Sequence, residues 1–293
     1  MNRTLSPFLV GFVLLTATTS KIFADPDKPL IKLDGEINDR LIQSTITTQA
    51  DKWLKAGEAT KSEELAAQLD RKTCSLKLAK PGKRVLTAQE TSKKNQAGVL
   101  VVAQPYLCGK CERTHLSLAS GFMLTEDGAF CTSYHVMSNK TARTMIIMTG
   151  DGRVAPVREV LAANAATDLI ILRAEGKGFT ALPLSTNAPV GGLIRVISHP
   201  NQHFYSLTEG IASRYFTMTR NRKPVSALAI TADFARGSSG APVFNEYGAV
   251  VGSVNSTFSS YYSTDDDGHK ENLQMVFKNC VAAKHVLEMI KGE

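Results

Sequence analysis

From about Ala97 onward the chain is written in short β-branched and apolar runs, punctuated roughly every ten residues by Gly, Asn or Asp. The runs are Val99 to Ala103, His115 to Leu124, Ala129 to His135, Thr144 to Met148, Leu169 to Leu172 and Leu193 to Ile197. They continue with Phe204 to Thr217, Ala227 to Ala232, Pro242 to Phe244, Ala249 to Asn255 and Gln274 to Phe277. A segment broken this often cannot form long helices. It predicts an all-β barrel or sandwich, closed by a final helix from about Cys280 to Ile290.

The section before it has a different period. Ile37, Leu41, Ile46, Ala50, Trp53 and Leu54 recur at near-helical spacing and predict an amphipathic helix over Glu36 to Ala56. A second helix is expected from Thr60, whose spacing to Glu63 resembles a capping box, with Leu65 and Leu69 four apart. No catalytic signature lies here. The expected organisation is an export signal over 1–24, a helical extension or pro-segment over 25–95, and a β domain over 96–293.

The signal assignment rests on Met1-Asn2-Arg3 followed by an apolar run from Phe8 to Ala17 and then Ile22-Phe23-Ala24. About ten apolar residues are too few to span a bilayer comfortably. The layout fits a signal removed after Ala24, or alternatively after Ser20, with a short uncleaved anchor as the competing reading. The mature chain is expected to be exported, periplasmic or secreted, and not membrane-spanning. Its formal charge of +7 falls to +5 on removal of residues 1–24, which carry Arg3 and Lys21 and no acid. The remaining bases are scattered, as in Lys93-Lys94 and Arg220-Asn221-Arg222, so no nucleic-acid partner is expected.

Three segments can carry chemistry together. One is Ser120-Gly121 through Asp127-Gly128 to Thr132-Ser133-Tyr134-His135, a strand, a turn and a strand ending in histidine. Another is Asp168 opening Leu169-Ile170-Ile171-Leu172. The third is Gly237-Ser238-Ser239-Gly240-Ala241-Pro242. A serine hydroxyl is a weak nucleophile until an adjacent base takes its proton. His135 can be that base, and Asp168 can fix its tautomer and stabilise the imidazolium. The N–H groups of Gly237 and Ser239 can meet a developing oxyanion. Ser238 is the rival nucleophile, but only Ser239 has glycine two residues before it and directly after it. The order His, Asp, Ser, at separations of 33 and 71 residues, is one of the known orders for such a triad.

On these motifs the chain from about Val99 to Ile290 resembles the trypsin-like serine peptidases of the exported HtrA/Deg kind. Thr132-Ser-Tyr-His135-Val136 is similar to the family's histidine region, Asp168-Leu-Ile-Ile-Leu172 to its aspartate strand, and Gly237 to Asn245 to its nucleophile loop. Ser198-His-Pro200 with Thr208-Glu-Gly-Ile211, and Gln274-Met-Val-Phe277, also fit. The resemblance implies two six-stranded antiparallel β-barrels with a His135–Asp168–Ser239 triad between them. It implies hydrolysis of peptide bonds in protein or peptide substrates through an acyl-enzyme, with no metal or cofactor. Substrate backbone would pair with the strand around Val254, Asn255 and Ser256. Only about 50 residues follow Asn245, so no PDZ domain is expected. Ser238 stands where Asn or Asp is more usual in the family and Ala241 where Gly is common.

Secondary features have competing readings. Asp233, six residues before Ser239, matches the spacing of the aspartate that lines the base of trypsin's specificity pocket; the alternative is a loop aspartate bonded to its own backbone. Asp265-Asp266-Asp267-Gly268 lacks the rest of a calcium loop and reads as a solvated turn. Among five cysteines, Cys108 and Cys111 form a hairpin-sized pair, expected as a disulfide, with a redox pair or half a metal site completed by His115 as alternatives. Cys131 is expected as a buried thiol. The competing functional reading is a latent or inactive trypsin-fold protein that binds peptides without cutting them.

Overall fold

The computed structural model describes residues 30–31, 34–220 and 222–291; the expected export signal over 1–24 lies outside them. Helix α1 (Asp39–Ala56) starts on Asn38, whose side chain accepts the N–H of Leu41, and stops at Gly57 in the left-handed region. Its buried stripe is Ile42, Ile46 and Ala50, four residues apart, so it presents one apolar face. Helix α2 (Ser62–Ala66) is a single turn with Leu65 buried, and no side chain caps it. The capping box expected at Thr60 occurs instead at Thr87 and Glu90, which open helix α3 (Ala88–Asn95) by reciprocal hydrogen bonds. A two-residue strand β1 (Cys74–Ser75) lies between α2 and α3.

The remainder is two closed six-stranded antiparallel barrels, as expected. The first contains β2 (Val99–Leu107), β3 (Thr114–Met123), β4 (Ala129–Ser133), β5 (Ile146–Thr149), β6 (Val154–Asn164) and β7 (Leu169–Ala174). The second contains β8 (Leu193–Ser198), β9 (Ser206–Arg220), β10 (Lys223–Ile230), β11 (Pro242–Asn245), β12 (Val250–Thr264) and β13 (Lys270–Ala282). Strand β6 has no counterpart in the periodicity reading. It carries Pro156 and small alanines, and two register shifts break its alternation. The expected terminal helix is also shorter than its pattern. Cys280 and Val281 stay in β13 because they pair with both β10 and β12 and so close the barrel, and Ala282 follows them by pairing with Gly252 of β12. Only Lys284–Glu288 is helical (α4), and β14 (Ile290–Lys291) returns to pair with β1.

Strand β2 explains how the layers stack. Val99, Leu100, Val101, Val102 and Ala103 are all buried, so both of its faces are covered. Leu100 and Val102 pack with Phe130, Ile170 and Leu172 and with Leu65 of α2. Val99, Val101 and Ala103 belong to a core shared with Ile42, Ile46 and Ala50 of α1 and with Phe244 and Val250 of the second barrel. The front helices are therefore packed onto the barrels: Arg71 donates to Val160 O at 2.6 Å and Thr114 to Asp51 at 2.7 Å. No described helix is long and apolar enough to cross a membrane.

Candidate active site

His135 lies just past β4, on a short helical turn over Tyr134–Ser138, and its side chain is half exposed. Asp168 immediately precedes β7, and the pairing of Ser133 with Leu169 brings the two segments side by side. The carboxylate of Asp168 is almost fully buried and makes two bonds to His135: Oδ1 accepts the backbone N–H and Oδ2 meets Nδ1, each at 2.8 Å. Its backbone sits in the left-handed region at φ 59°, a conformation few residues other than glycine hold except where surroundings impose it. The C=O of Asp168 is tied to the N–H of Tyr134 at 3.0 Å, which fixes that turn.

Two further groups converge on the same carboxylate oxygen. Asn255 Nδ2 donates to Oδ2 at 2.6 Å, and Arg220 Nη1 lies 3.2 Å from it. Arg220 also donates to Asn255 Oδ1, so the three side chains form a closed set. Asn255 reaches inward because it is the extra residue of a β-bulge: Val254 pairs with Cys280 and Ser256 with Asn279, leaving Asn255 unpaired between them. Burial alone would raise the Asp168 pKa; the hydrogen bonds and charge from His135, with Arg220 behind them, bring it below the ordinary value instead. An ionised carboxylate is acceptor only, so Nδ1 of His135 carries a proton toward it, and in the neutral ring Nε2 is the nitrogen with the lone pair.

The loop from Ala235 to Ala241 is held against the first barrel. Ser120 N–H donates to Ser239 O at 2.9 Å, Ser120 Oγ to Gly237 O at 2.9 Å, and Gly240 N–H to Val254 O at 2.8 Å. Gly240 has φ +86°, and a Cβ there would lie 2.3 Å from Ser120 O and 2.4 Å from Thr132 Oγ1. No other residue fits. Ser239 is thereby set between Ser120 on one side and the Val254–Asn255 bulge on the other. Ser238 points the opposite way: it is fully buried and its hydroxyl donates to Ser198 at 3.0 Å. Among the described residues the Ser239 hydroxyl makes no hydrogen bond, to His135 or to any other group.

The backbone beside Ser239 has free donors. Arg236 O accepts the N–H of Asn201 at 2.6 Å. The planar trans peptide then turns the Gly237 N–H to the opposite side. Neither that N–H nor the Ser239 N–H is used by a described acceptor. Other expected site residues are placed differently. Asp233 is 81% exposed on its side chain and lies 3.0 Å from Lys278 Nζ, a solvent-facing pair rather than a buried anion. Both main-chain groups of Val254 are occupied by Gly240 and Ala241, which leaves Asn255 and Ser256 for any substrate pairing. Cys108 and Cys111 are thiols with sulfurs 3.5 Å apart, not a disulfide. Cys131 is buried, as expected, and burial pushes its thiol up. Arg220 is the member of the site that sequence reasoning missed, because its only sequence signal was a run of bases at a turn.

Residues 119–252 match the trypsin-like peptidase domain family. That stretch is just under half of the chain, and over it the sequence resembles this family. The chain is 31% identical over 146 residues to a probable periplasmic serine endoprotease DegP-like of Pseudomonas putida strain GB-1, covering 49% of this chain and 30% of the relative. A protein of the same description from Halomonas elongata is 30% identical over 138 residues, covering 46% and 28%. The chain thus spans about a third of the length of these curated relatives. In fold, the chain is similar to the HtrA-type protease AlgW with tripeptide, at a TM-score of 0.54 and 18% identity, covering 69% of this chain and 62% of that one. A serine endoprotease from Yersinia pestis gives 0.52 and 18%, covering 70% and 66%.

Proposed function

We propose that this chain is a serine endopeptidase in which His135, Asp168 and Ser239 are the catalytic triad. The observation that supports the reading is the doubly hydrogen-bonded His135–Asp168 pair, together with a nucleophile-loop pair in which Ser238 is buried and bonded to Ser198 while Ser239 is partly exposed. The Nε2 lone pair of His135 takes the Ser239 proton as Oγ attacks the scissile carbonyl carbon. The new oxyanion is met by the N–H groups of Gly237 and Ser239. The imidazolium then protonates the leaving amine, the C–N bond breaks, and an acyl ester remains on Ser239. Water repeats the sequence with His135 again as base and releases the acid. Closing the Ser239–His135 hydrogen bond on substrate binding is ordinary for this chemistry, since catalytic contacts are commonly looser in the free enzyme.

Extended peptide is the substrate class, lying along β12 at Asn255 and Ser256. The AlgW structure with a bound tripeptide supports peptide binding for that relative, and the same is proposed here. The names of the relatives support an exported, periplasmic setting; in the same proposal residues 1–24 are the signal and 25–95 a helical extension or pro-segment. The test is labelling with an organophosphonate followed by peptide mapping. The adduct is expected on Ser239, and Ser239→Ala is expected to lose both label and casein hydrolysis. A Ser239→Ala protein that cleaves casein at the parent rate would overturn the assignment.

A further inference from the structure

The hairpin joining β2 and β3 carries a second cluster of reactive groups, away from the triad. The two strands remain paired up to Leu107 and Thr114, so residues 108–113 form a tight loop that brings Cys111 back over Cys108. Gly109 at φ +71° makes the reversal. The sulfurs lie 3.5 Å apart and Cys111 Sγ lies 3.2 Å from His115 Nε2; all three atoms are within 4.8 Å of one another. His115 pairs in register with Tyr106, and the rings sit 5.6 Å apart, which holds the imidazole toward the loop.

These are the edge lengths of a tetrahedral metal site. With Zn–S of about 2.3 Å and Zn–N of about 2.0–2.1 Å, tetrahedral angles place two sulfurs roughly 3.7 Å apart and sulfur and nitrogen roughly 3.5 Å apart. The sulfurs are too far apart to be bonded and closer than two unrelated side chains need be. The loop also supplies a backbone donor to sulfur: the Lys110 N–H points at Cys108 Sγ at 3.4 Å. Thiolate and imidazole are the donor set that prefers zinc over harder cations.

We propose that Cys108, Cys111 and His115 bind one Zn²⁺, with the fourth position left to water or an exogenous donor. The site is distinct from the proposed catalytic groups but shares a strand with them: β3 runs from His115 to Ser120, whose amide and hydroxyl hold the Ser239 loop. A metal here would fix the start of that strand.

The test uses the reduced full chain, stripped of metal, titrated with zinc or cobalt alone. One metal per chain, thiolate-to-cobalt charge-transfer bands and a two-sulfur X-ray absorption signature are expected. Cys111→Ser and His115→Gln should each weaken binding at least about tenfold, since even loss of an outer-shell partner costs that much. Cys74→Ser, remote from the loop, should leave it unchanged. The loop is exposed, so thermal unfolding will show that the variants remain folded. Binding that survives the Cys108→Ser/Cys111→Ser double variant would overturn the site. So would a folded, reduced protein that takes up no metal, or protein isolated from an exporting cell with a Cys108–Cys111 disulfide and no zinc. Organophosphonate labelling of Ser239 is independent of all these readouts.

Discussion

Arg220 Nη1 lies 3.2 Å from Asp168 Oδ2, so the carboxylate that faces His135 also neutralises a guanidinium delivered from the far end of β9. The pair is mostly shielded: Asp168 is 7% exposed on its side chain and Arg220 30%. Asp168 therefore divides its charge between a standing cation, the Arg220 guanidinium, and the imidazolium that would form at His135 in the proposed reaction.

Replacing Arg220 with Met tests that division. Two unit charges about 4 Å apart interact by about 1 kcal/mol even in bulk water, and more in a shielded site. Removing the cation should strengthen the hold of Asp168 on the imidazolium and raise kcat several-fold, with KM little changed. The variant should also lose acid resistance. Asp168 is depressed below its ordinary value, so its contribution to stability is present at neutral pH and lost as pH falls through the folded value. Without Arg220 that folded value rises, and acid unfolding should begin at higher pH. Unchanged kcat together with an unchanged acid-unfolding curve would show the contact to be incidental.

Ser238 and Ser239 separate cleanly by their surroundings. Ser238→Ala removes one buried hydroxyl–hydroxyl bond to Ser198 and should cost about 1 kcal/mol of stability while leaving organophosphonate labelling intact. Ser239→Ala should do the reverse, leaving thermal unfolding nearly unchanged. If Ser239 is the nucleophile as proposed, its loss leaves only the residual acceleration of about 10³–10⁴ over water that binding and oxyanion contacts provide. Equal effects of the two substitutions on hydrolysis would count against the assignment.

Gly240→Ala should disable the protein by geometry alone. Its φ of +86° already disfavours a side chain, and a Cβ would press on Ser120 O and Thr132 Oγ1. Overpacking of this kind costs about 1–3 kcal/mol before the backbone strain is added. The displaced loop carries Ser239, so labelling should fall with stability. Calorimetry and labelling on the same sample will check both.

Much of the double-barrel fold was legible in the sequence, and the residues proposed for the chemistry sit at strand ends, where a two-residue period stops and a turn begins. His135, Asp168 and Ser239 each follow or open such a run, and the alternation of β3, β4 and β7 is strong enough to read. What was hidden depends on exceptions to periodicity. Strand β6 is broken by Pro156 and two bulges, and Cys280–Ala282 look helical in spacing but are claimed by strand pairing. Asn255 turns toward Asp168 because of a bulge whose register is set by the partner strand, and Arg220 arrives from 52 positions away along the chain. Asp233 shows a complementary case: its spacing to Ser239 fits, but Lys278 on the neighbouring strand pairs with it at the surface. No local rule contains a partner strand.

His199 makes the junction of the two barrels sensitive to acid. It follows β8 of the second barrel, is 1% exposed, and places Nε2 3.0 Å from Leu100 O of the first barrel. Its Nδ1 accepts the N–H of Tyr205 at 3.0 Å, so the ring is neutral with its proton on Nε2. Burial drives its pKa down to about 4, against about 6.5 in the unfolded chain. Between those values the unfolded chain binds the proton and the folded one does not. Stability is therefore complete above about pH 6.5, declines as pH falls toward about 4, and levels off below it. At 1.36 kcal/mol per unit, the full decline is roughly 3 kcal/mol. His199→Gln can keep a donor to Leu100 and an acceptor for Tyr205 but does not titrate. Whatever its absolute stability, its denaturation midpoint should vary less between pH 4 and 7 than that of the parent. Parallel pH profiles for the two proteins would show that acid acts elsewhere.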